Sequence, residues 1–439
     1  MKTVNRAVST LPDPLRIEID SLPIDLNPLT TCDYTSKYIS SVMYEPLRNG
    51  YNSRINHQNN QDYTIQLHPN YLGNAYQLAN TIQFHLKREN QSPHVTSFLS
   101  VKHAIPFVKK QLSFDEIGIR VKDDRELEVV LDEPFEGFLS ILQSSFFIPS
   151  EQNGQPVANG PYQLTCQHET GLHFERNPRY QMTPADKNTI HSIDFVLNKN
   201  LSKSIDLYKT NHIDITCHTQ FHHDNMEYQS YKDFKESSLP MLFTLKIKDD
   251  QLLTFIKSNL NKNKMAEKLR DIIIPTDSLL GIYQADHSYE EAKLVREESV
   301  RMTYADYYPN GEIIQEMISL LDNSGVKTDI HKVSSFYDYY HLDKSAFDIE
   351  LHLFLPTYLH YTSYAKYFIH DLPDKESKIK VVESIKKRKK KELYATFENT
   401  KQYYPICFGK SLFLQNPCIE GFAVNYDGLL SVHDLKCRQ

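Results

Sequence analysis

The sequence contains no tryptophan and few glycines, and both shortages limit what the chain can do. Its 439 residues include 13 glycines and 28 tyrosines. A surface that stacks on ligands must therefore be built from Tyr, Phe and His. The glycine-dependent motifs G-x-G-x-x-G, G-x-x-x-x-G-K-[ST] and G-x-S-x-G are absent, and so is H-E-x-x-H. The sequence therefore predicts a protein that is not an enzyme and that carries no cofactor and no metal.

Long apolar runs and paired cysteines are also missing. No run approaches the roughly 20 apolar residues of a membrane span, and residues 1–15 lack the apolar core of a signal peptide. Six cysteines show neither CxxC nor zinc-knuckle spacing: Cys32, Cys166, Cys217, Cys407, Cys418 and Cys437. These features predict a cytoplasmic chain without a disulfide framework. An exported, membrane-associated chain at the extracellular face, with its leader removed, looks the same and is the alternative.

The composition is that of a soluble globular protein, with 40% hydrophobic and 24% charged residues. The net charge of −7 argues against a nucleic-acid surface spread over the chain. One basic run, Lys386–Lys391, has the composition of a nucleic-acid patch. Apolar residues at helical spacing favour the solvated face of a helix instead, and they are Val381, Val382, Ile385, Leu393 and Phe397.

Hydrophobic periodicity predicts a mixed α/β first part. The expected elements are a strand at 15–20, a helix after an N-cap at Asp33 or Thr35, a helix at 78–87, a hairpin of 117–121 with 126–131, a helix at 138–147, three strands within 162–197, a short helix at 201–210, and strands at 212–218 and 241–247.

The second part has a different pattern, rich in lysine and in helices. Helices are expected at 252–270, 288–295, 313–323 and 378–399, with strands at 300–304, 326–333 and 347–354. A strand, a helix and a strand at this spacing predict a parallel βαβ unit. The chain then returns to strand-like sequence. We therefore expect lobe I at 1–247 with 405–439, lobe II at 248–404, and a ligand cleft closed by a hinge.

One segment has the residue types of a metal site. Cys217, His218, His222 and His223 are close in sequence, and His218 and His222 share one face if the segment is helical. The alternative, which we favour, is a polar surface loop. A weaker cluster contains His352, His360 and Tyr361. The surrounding stretch TYLHYTSYAKYF supplies aromatic rings either for a ligand or, at helical spacing, for a core.

Several stretches, in order, resemble the family 5 extracellular solute-binding proteins, which bind oligopeptides, dipeptides or nickel. LRIEIDSLPIDLNPLTTCDYTSKYISSVMYEPL resembles the family's opening strand, its Leu-Asp-Pro loop and its Y-E-x-L helix end, with Asn27 in place of Asp. ANGPYQL and LHFERNPRY resemble its G-P-Y turn and R-N-P-x-Y strand end. The resemblance covers most of the chain and implies an α/β, two-lobed, periplasmic-binding-protein-like fold of type II.

The sequence also departs from the family. Its W-x-D-G-rich stretch is replaced by YLGNAYQLANTIQFHL, without tryptophan or acidic residues. The replaced stretch, the short length of the chain and its closing stretch all resemble features of the solute-binding domain of SgrR-type regulators. Those regulators are cytosolic and carry a DNA-binding module. No helix-turn-helix pattern occurs in this sequence.

The resemblance implies a solute site without covalent chemistry. The residues expected to bind the ligand by stacking and hydrogen bonding are Asn27, Asp33, Tyr34, Tyr44, Phe243, Tyr358, His360 and Tyr361. The first function hypothesis is a cytosolic SgrR-type sensor of a peptide-like or sugar-like solute, whose partner is a DNA-binding regulatory module. The alternative is a receptor that delivers peptide or nickel to an ABC permease.

Overall fold

The fold is taken from a computed structural model of the chain. It describes residues 13–31, 33–218, 228–269, 272–281, 292–369, 372, 374–387, 389–398, 402–425 and 428–438. The strands are β1 Leu15–Ile19, β2 Ser53–Gln58, β3 Asp62–Leu67, β4 Ile119–Asp123, β5 Glu126–Val130, β6 Tyr162–His168, β7 Gly171–Arg176, β8 Ser192–Leu197, β9 Phe234–Ile247, β10 Ile273–Pro275, β11 Val300–Ala305, β12 Thr328–Val333, β13 Ile349–Phe354, β14 Tyr403–Leu414, β15 Ile419–Glu420, β16 Ala423–Val424, β17 Leu430–Ser431 and β18 Lys436–Cys437.

The helices alternate with these strands. They are α1 Tyr34–Ser40, α2 Ala75–Leu86, α3 Val95–Phe98, α4 Ala104–Val108, α5 Phe138–Leu142, α6 Ser204–Lys209, α7 Asp250–Asn259, α8 Lys262–Lys268, α9 Asn310–Asp322, α10 Phe336–His341, α11 Tyr361–Phe368, α12 Lys375–Lys386 and α13 Lys390–Glu398. Within the described residues, no helix has both the length and the apolar character needed to cross a membrane.

The chain divides into two compact units. Unit 1 contains residues 1–237, 357–359 and 412–439, and unit 2 contains residues 238–356 and 360–411. The chain passes from unit 1 to unit 2 within β9 and returns within β14.

Unit 1 contains two four-stranded sheets. In the first, ordered β1-β8-β7-β6, β1 pairs in parallel with β8, and the predicted strands of 162–197 pair antiparallel. In the second, ordered β2-β3-β5-β4, all pairs are antiparallel. The predicted hairpin is formed by β4 and β5, and the Asp123 carboxylate accepts from the Arg125 N–H at 2.7 Å in its turn.

Helix α2 covers the second sheet because its sequence supplies both a cap and an apolar face. Asn74 and Gln77 form a capping box, in which each side chain accepts from the other's backbone N–H at 2.9 and 3.1 Å. Leu78, Ile82 and Leu86, at spacings of four, are fully buried in the core of unit 1. Burial of each such side chain stabilises the fold by about 1.5–3 kcal/mol.

Unit 2 is built on a six-stranded mixed sheet, ordered β10-β14-β9-β13-β11-β12. β11 and β12 are parallel and are joined by α9, so the predicted βαβ unit is confirmed. Gly325 ends the helix at a φ of +76°, where a residue without Cβ is favoured. β9, which includes the strand predicted at 241–247, pairs antiparallel with β13.

The prediction of one continuous helix at 252–270 is wrong, because the structure has two helices there, α7 and α8. Leu260 is extended, and the side chain of Asn261 caps a new helix by accepting from the Lys264 N–H at 2.8 Å. Asn261 therefore starts α8 instead of continuing α7, because its side chain competes for backbone hydrogen bonds.

The predicted helix at 378–399 is likewise two helices, α12 and α13. Val381, in α12, and Leu393, in α13, are both fully buried in the same core of unit 2. Ile385 and Phe397 also contact that core, as predicted, but Val382 is 43% exposed. The expectation of one apolar face is therefore wrong at Val382.

Three other predicted elements differ. Residues 212–218 form no strand, only isolated bridges from Ile215 to Ile17 and Gln415. The helix predicted at 138–147 ends at Leu142. Of the helix predicted at 288–295, residues 288–291 lie outside the described residues, and 292–295 are not helical.

Candidate functional site

Four of the predicted ligand residues, Asn27, Asp33, Tyr34 and Tyr44, lie around helix α1 in unit 1. α1 begins at Tyr34 because the Asp33 carboxylate accepts from the Ser36 N–H at 2.8 Å, which confirms Asp33 as the N-cap. Its second carboxylate oxygen accepts from the Thr31 hydroxyl at 3.1 Å. In this structure Asp33 organises the helix start.

Asn27 has a comparable local role. Its side-chain oxygen accepts from the Leu29 N–H at 3.0 Å, and its own N–H donates to Asp25 at 2.9 Å. Each bond joins a side-chain oxygen to the N–H two residues later, so the loop before α1 contains two successive Asx turns. The side chain is half-buried, and its role in ligand binding stays a prediction.

Tyr34 and Tyr44 differ in what their hydroxyls contact. The Tyr34 hydroxyl donates to the Gly428 carbonyl oxygen at 2.8 Å and lies 3.2 Å from His218 Nε2. Tyr44 is half-buried, and its hydroxyl makes no hydrogen bond within the described part of the chain. Burial, with a smaller contribution from Asp25, raises the Tyr44 pKa to about 12, so this phenol stays a neutral donor.

The other predicted residues are divided between the units. Tyr358, in unit 1, is part of the core beside α2. Phe243 and Tyr361, in unit 2, are also buried. His360, in unit 2, caps α11 and lies 2.8 Å from the Thr362 hydroxyl. The aromatic stretch 357–368 therefore supplies core side chains, and ligand contacts by these residues stay predictions.

Unit 1 contains a cavity of about 300 Å³ beside the C-terminal end of α1. Its apolar walls come from Pro46, Leu47, Leu359, Leu429 and Leu430, and its polar residues are Ser41, Arg48, Gln143 and Asn425. Apolar walls with a few convergent polar groups are typical of pockets that bind small solutes.

Asn425, Leu429 and Leu430 form one wall of this cavity, and the described residues beside them are bound to α1. The Leu430 N–H donates to the Ser41 hydroxyl at 3.0 Å, and Ser41 donates to the Tyr38 carbonyl oxygen at 2.6 Å. Tyr34 holds Gly428 at the other end of the wall. α1 therefore positions residues that lie almost 400 positions further along the chain.

A hydrogen-bonded network lies beside the cavity. Arg48 Nη1 donates to the Ser431 hydroxyl at 3.3 Å, and Ser431 lies 3.0 Å from His433 Nδ1. The buried Glu45 carboxylate accepts from the Tyr180 hydroxyl at 3.1 Å. Desolvation raises the pKa of Glu45, and Arg48 partly opposes that shift.

The described residues do not support the hypothesis of a metal site at Cys217, His218, His222 and His223. His222 and His223 lie outside the described residues, and no three His, Cys, Asp or Glu side chains among the described residues are placed to hold a metal ion. His218 is buried, and its ring centroid lies 4.0 Å from that of Tyr38. Burial lowers its pKa to about 3, so it is neutral. Cys166, Cys407 and Cys437 form no disulfide among the described residues.

The cavity residues Ser41, Arg48, Gln143 and Asn425 were not predicted from the sequence. They are far apart in the chain and no motif joins them. Arg48 directly follows the Y-E-x-L match at residues 44–47, so that match lies next to the cavity in the sequence.

Comparison with known proteins supports the resemblance found in the motifs. Residues 73–270 match the model of the bacterial extracellular solute-binding proteins, family 5 Middle, so the predicted resemblance to family 5 is confirmed. No protein with a curated function matches the sequence.

Solved structures match nearly the whole chain. The Haemophilus influenzae OppA complex with RPPGFSPFR is 15% identical, with a TM-score of 0.79, over 98% of this chain and 100% of that one. The Escherichia coli murein tripeptide binding protein MppA is 15% identical, with a TM-score of 0.76, over 99% and 100%. A Borrelia burgdorferi periplasmic oligopeptide-binding protein is 15% identical, with a TM-score of 0.80, over 97% and 99%. The predicted fold class, two-lobed α/β of the family 5 type, is confirmed.

Proposed function

We propose that this chain, whose fold is that of the family 5 solute-binding proteins, binds a peptide-like solute as the receptor of an ABC transporter and does no covalent chemistry. The observation that carries the proposal is the match of nearly the whole chain to structures of oligopeptide-binding and murein tripeptide-binding proteins. A peptide offers both apolar side chains and backbone polar groups, which suits a cavity with apolar walls and a few polar residues.

The first function hypothesis, a cytosolic SgrR-type sensor, has less support. The solved structures cited above are those of peptide-binding proteins, and they lend the regulatory role no support of their own. The sensor and its regulatory partner therefore stay a prediction. The receptor hypothesis implies a location outside the cytoplasm, and the sensor hypothesis implies a location inside it. Fractionation of native cells with an antibody to this chain separates the two.

The solute class is tested by thermal unfolding. The protein is purified without refolding and heated with three separate mixtures: tripeptides, monosaccharides and disaccharides, and free amino acids. The proposal predicts that the tripeptides raise the melting temperature most, because a ligand that binds only the folded state stabilises it in proportion to RT ln(1 + [L]/Kd). A shift confined to the sugars contradicts the proposal for peptides.

A further inference from the structure

We propose that Arg48 makes the cavity of unit 1 selective for a carboxylate, so that the solute is a peptide with a free C-terminus or another small acid with an apolar part. This inference rests on the proposed function, since it names the chemical group of the solute that the cavity recognises.

The cavity has one cation and two unused amides. The side chains of Gln143 and Asn425 line it, are half-buried, and make no hydrogen bond within the described part of the chain. The Ser41 hydroxyl is already occupied, by the Leu430 N–H and the Tyr38 carbonyl oxygen. The groups left for a ligand are therefore the guanidinium of Arg48 and the two amides. Together they offer several N–H donors.

The charge of Arg48 is not cancelled by a direct partner. Its guanidinium donates to a neutral hydroxyl, that of Ser431, and among the described residues no carboxylate lies within 4.0 Å of it. A half-buried guanidinium without an ion pair gains more from a carboxylate than an exposed one does. Guanidinium also matches the planar geometry of a carboxylate, to which it can donate two parallel hydrogen bonds.

The titratable groups near Arg48 do not remove the preference of its guanidinium for a carboxylate. Among the described residues, the carboxyl of Glu45 interacts electrostatically with Arg48, but it is buried and accepts from the Tyr180 hydroxyl. Among the described residues, the hydrogen-bonded path from His433 to Arg48 runs through the Ser431 hydroxyl. Burial, followed by Arg48 itself, lowers the pKa of His433, so this imidazole is neutral at pH 7 and adds no competing positive charge.

The apolar walls supply the second half of the recognition. Leu47, Leu359, Leu429 and Leu430 line the same cavity as the polar groups. A volume of about 300 Å³ is at the small end of ligand pockets, which suits one amino-acid residue and not a whole long peptide. The combination fits a terminal residue whose carboxylate meets Arg48 and whose side chain contacts the leucines.

The experiment is a thermodynamic cycle between the protein and the terminus of the ligand. One mixture of tripeptides is prepared as free acids and again as C-terminal amides, and affinities are measured by titration under native mass spectrometry at pH 7. Wild-type protein is expected to bind the acids roughly 10- to 100-fold more tightly than the amides, the ratio expected for a charge-assisted hydrogen bond. Arg48→Gln is expected to abolish this ratio. Arg48→Lys keeps the charge without the fork and is expected to retain part of it.

The matched control is Arg54→Gln, because Arg54 lies on β2 of the same unit and is exposed. It should leave the ratio of acid to amide affinity unchanged. Equal binding of acids and amides by wild-type protein overturns the inference and leaves peptide binding intact. Failure of both mixtures to bind overturns the proposed function as well. A ratio that persists in a folded Arg48→Gln variant assigns the carboxylate to another residue and also overturns the inference.

Discussion

The hydroxyl of Tyr34 donates to the carbonyl oxygen of Gly428 at 2.8 Å, and this bond joins the first residue of α1 to a residue 394 positions later. Gly428 directly precedes Leu429 and Leu430, which line the cavity of unit 1. The shape of the cavity therefore depends on a contact between the two ends of the chain.

Removal of this hydroxyl tests that dependence. Tyr34→Phe loses the bonds to Gly428 and His218, and we expect the free energy of unfolding to fall by about 1–2 kcal/mol. Peptide affinity should fall too, because the cavity wall is held less firmly. Urea unfolding and peptide titration measure the two effects. Tyr44→Phe is the stability control, because the Tyr44 hydroxyl has no hydrogen bond in the described part of the chain. An equal decrease in the free energy of unfolding of both variants would contradict the role given to Tyr34.

Gly428 provides a steric test of the same contact. It has a φ of +78°, and a Cβ atom there would lie 2.5 Å from the Tyr34 hydroxyl oxygen. Gly50 has a similar φ of +85°, but a Cβ atom there would meet nothing within 4 Å. Gly50→Ala should cost about 1 kcal/mol for the left-handed backbone alone. Gly428→Ala should cost clearly more in urea unfolding, and a cost equal to that of Gly50→Ala would show that the contact is loose.

Stability should depend on pH through buried histidine. Burial lowers the His218 pKa from 6.5 to about 3, so between these values the unfolded chain binds a proton that the folded chain does not. The free energy of unfolding therefore falls as the pH is lowered below 6.5, by roughly 1.4 kcal/mol per pH unit for one such group. His85, with its pKa lowered to about 4, adds to the slope.

His218→Gln separates this contribution from the rest, because glutamine does not titrate and can still hydrogen bond. We expect a shallower decline of stability between pH 6 and pH 4, about one group's slope less than in wild-type protein. Urea unfolding at each pH provides the measurement. An unchanged slope in a folded variant would show that His218 is solvated.

Lys262 in unit 2 should contribute a second pH dependence, at high pH. It is buried, donates to Asp277 and to the Thr276 carbonyl oxygen at 2.5 and 2.8 Å, and lies 4.0 Å from the ring centroid of Tyr404. Desolvation outweighs the attraction of Asp277 and lowers its pKa from 10.5 to about 8. Between these values the unfolded chain binds more protons, so this group makes stability rise with pH.

Wild-type protein is compared with Lys262→Met. The raised pKa of the buried Cys407 thiol makes stability fall as the pH rises, and it is present in both proteins, so their difference isolates the effect of Lys262. The free energy of unfolding of wild-type protein minus that of Lys262→Met should increase from pH 8 to pH 10. Lys264→Met is the matched control, because Lys264 is on the same helix and exposed. If the free energies of unfolding of wild-type protein and Lys262→Met change with pH in the same way, the pKa of Lys262 is not lowered.

Local patterns predicted much of the fold. Alternating apolar residues identified the three strands of 162–197, and the spacing of strand, helix, strand identified the parallel pair β11 and β12. The helix breaks were missed because they depend on single residues, such as Asn261, whose side chain caps a helix as readily as it occupies one. The exposure of Val382 was missed because Val382 directly follows the buried Val381 within α12, and two adjacent residues of a helix point in different directions.

The candidate site was less predictable. Asp33 and Asn27 are polar residues in a loop, which is what a ligand site requires, but the same property lets them cap a helix and close an Asx turn. Arg48, Gln143 and Asn425 meet only after the chain has folded. No local pattern contains that information, because it arises from tertiary contacts such as the one between Tyr34 and Gly428.

Binding of a tripeptide mixture to wild-type protein, measured by native mass spectrometry at pH 7, tests the central claim most directly. The account predicts saturable complexes of one peptide per chain, enriched in free C-termini over the amides. A protein that stays folded, binds no member of the mixture and shows no rise in melting temperature with it would contradict the account.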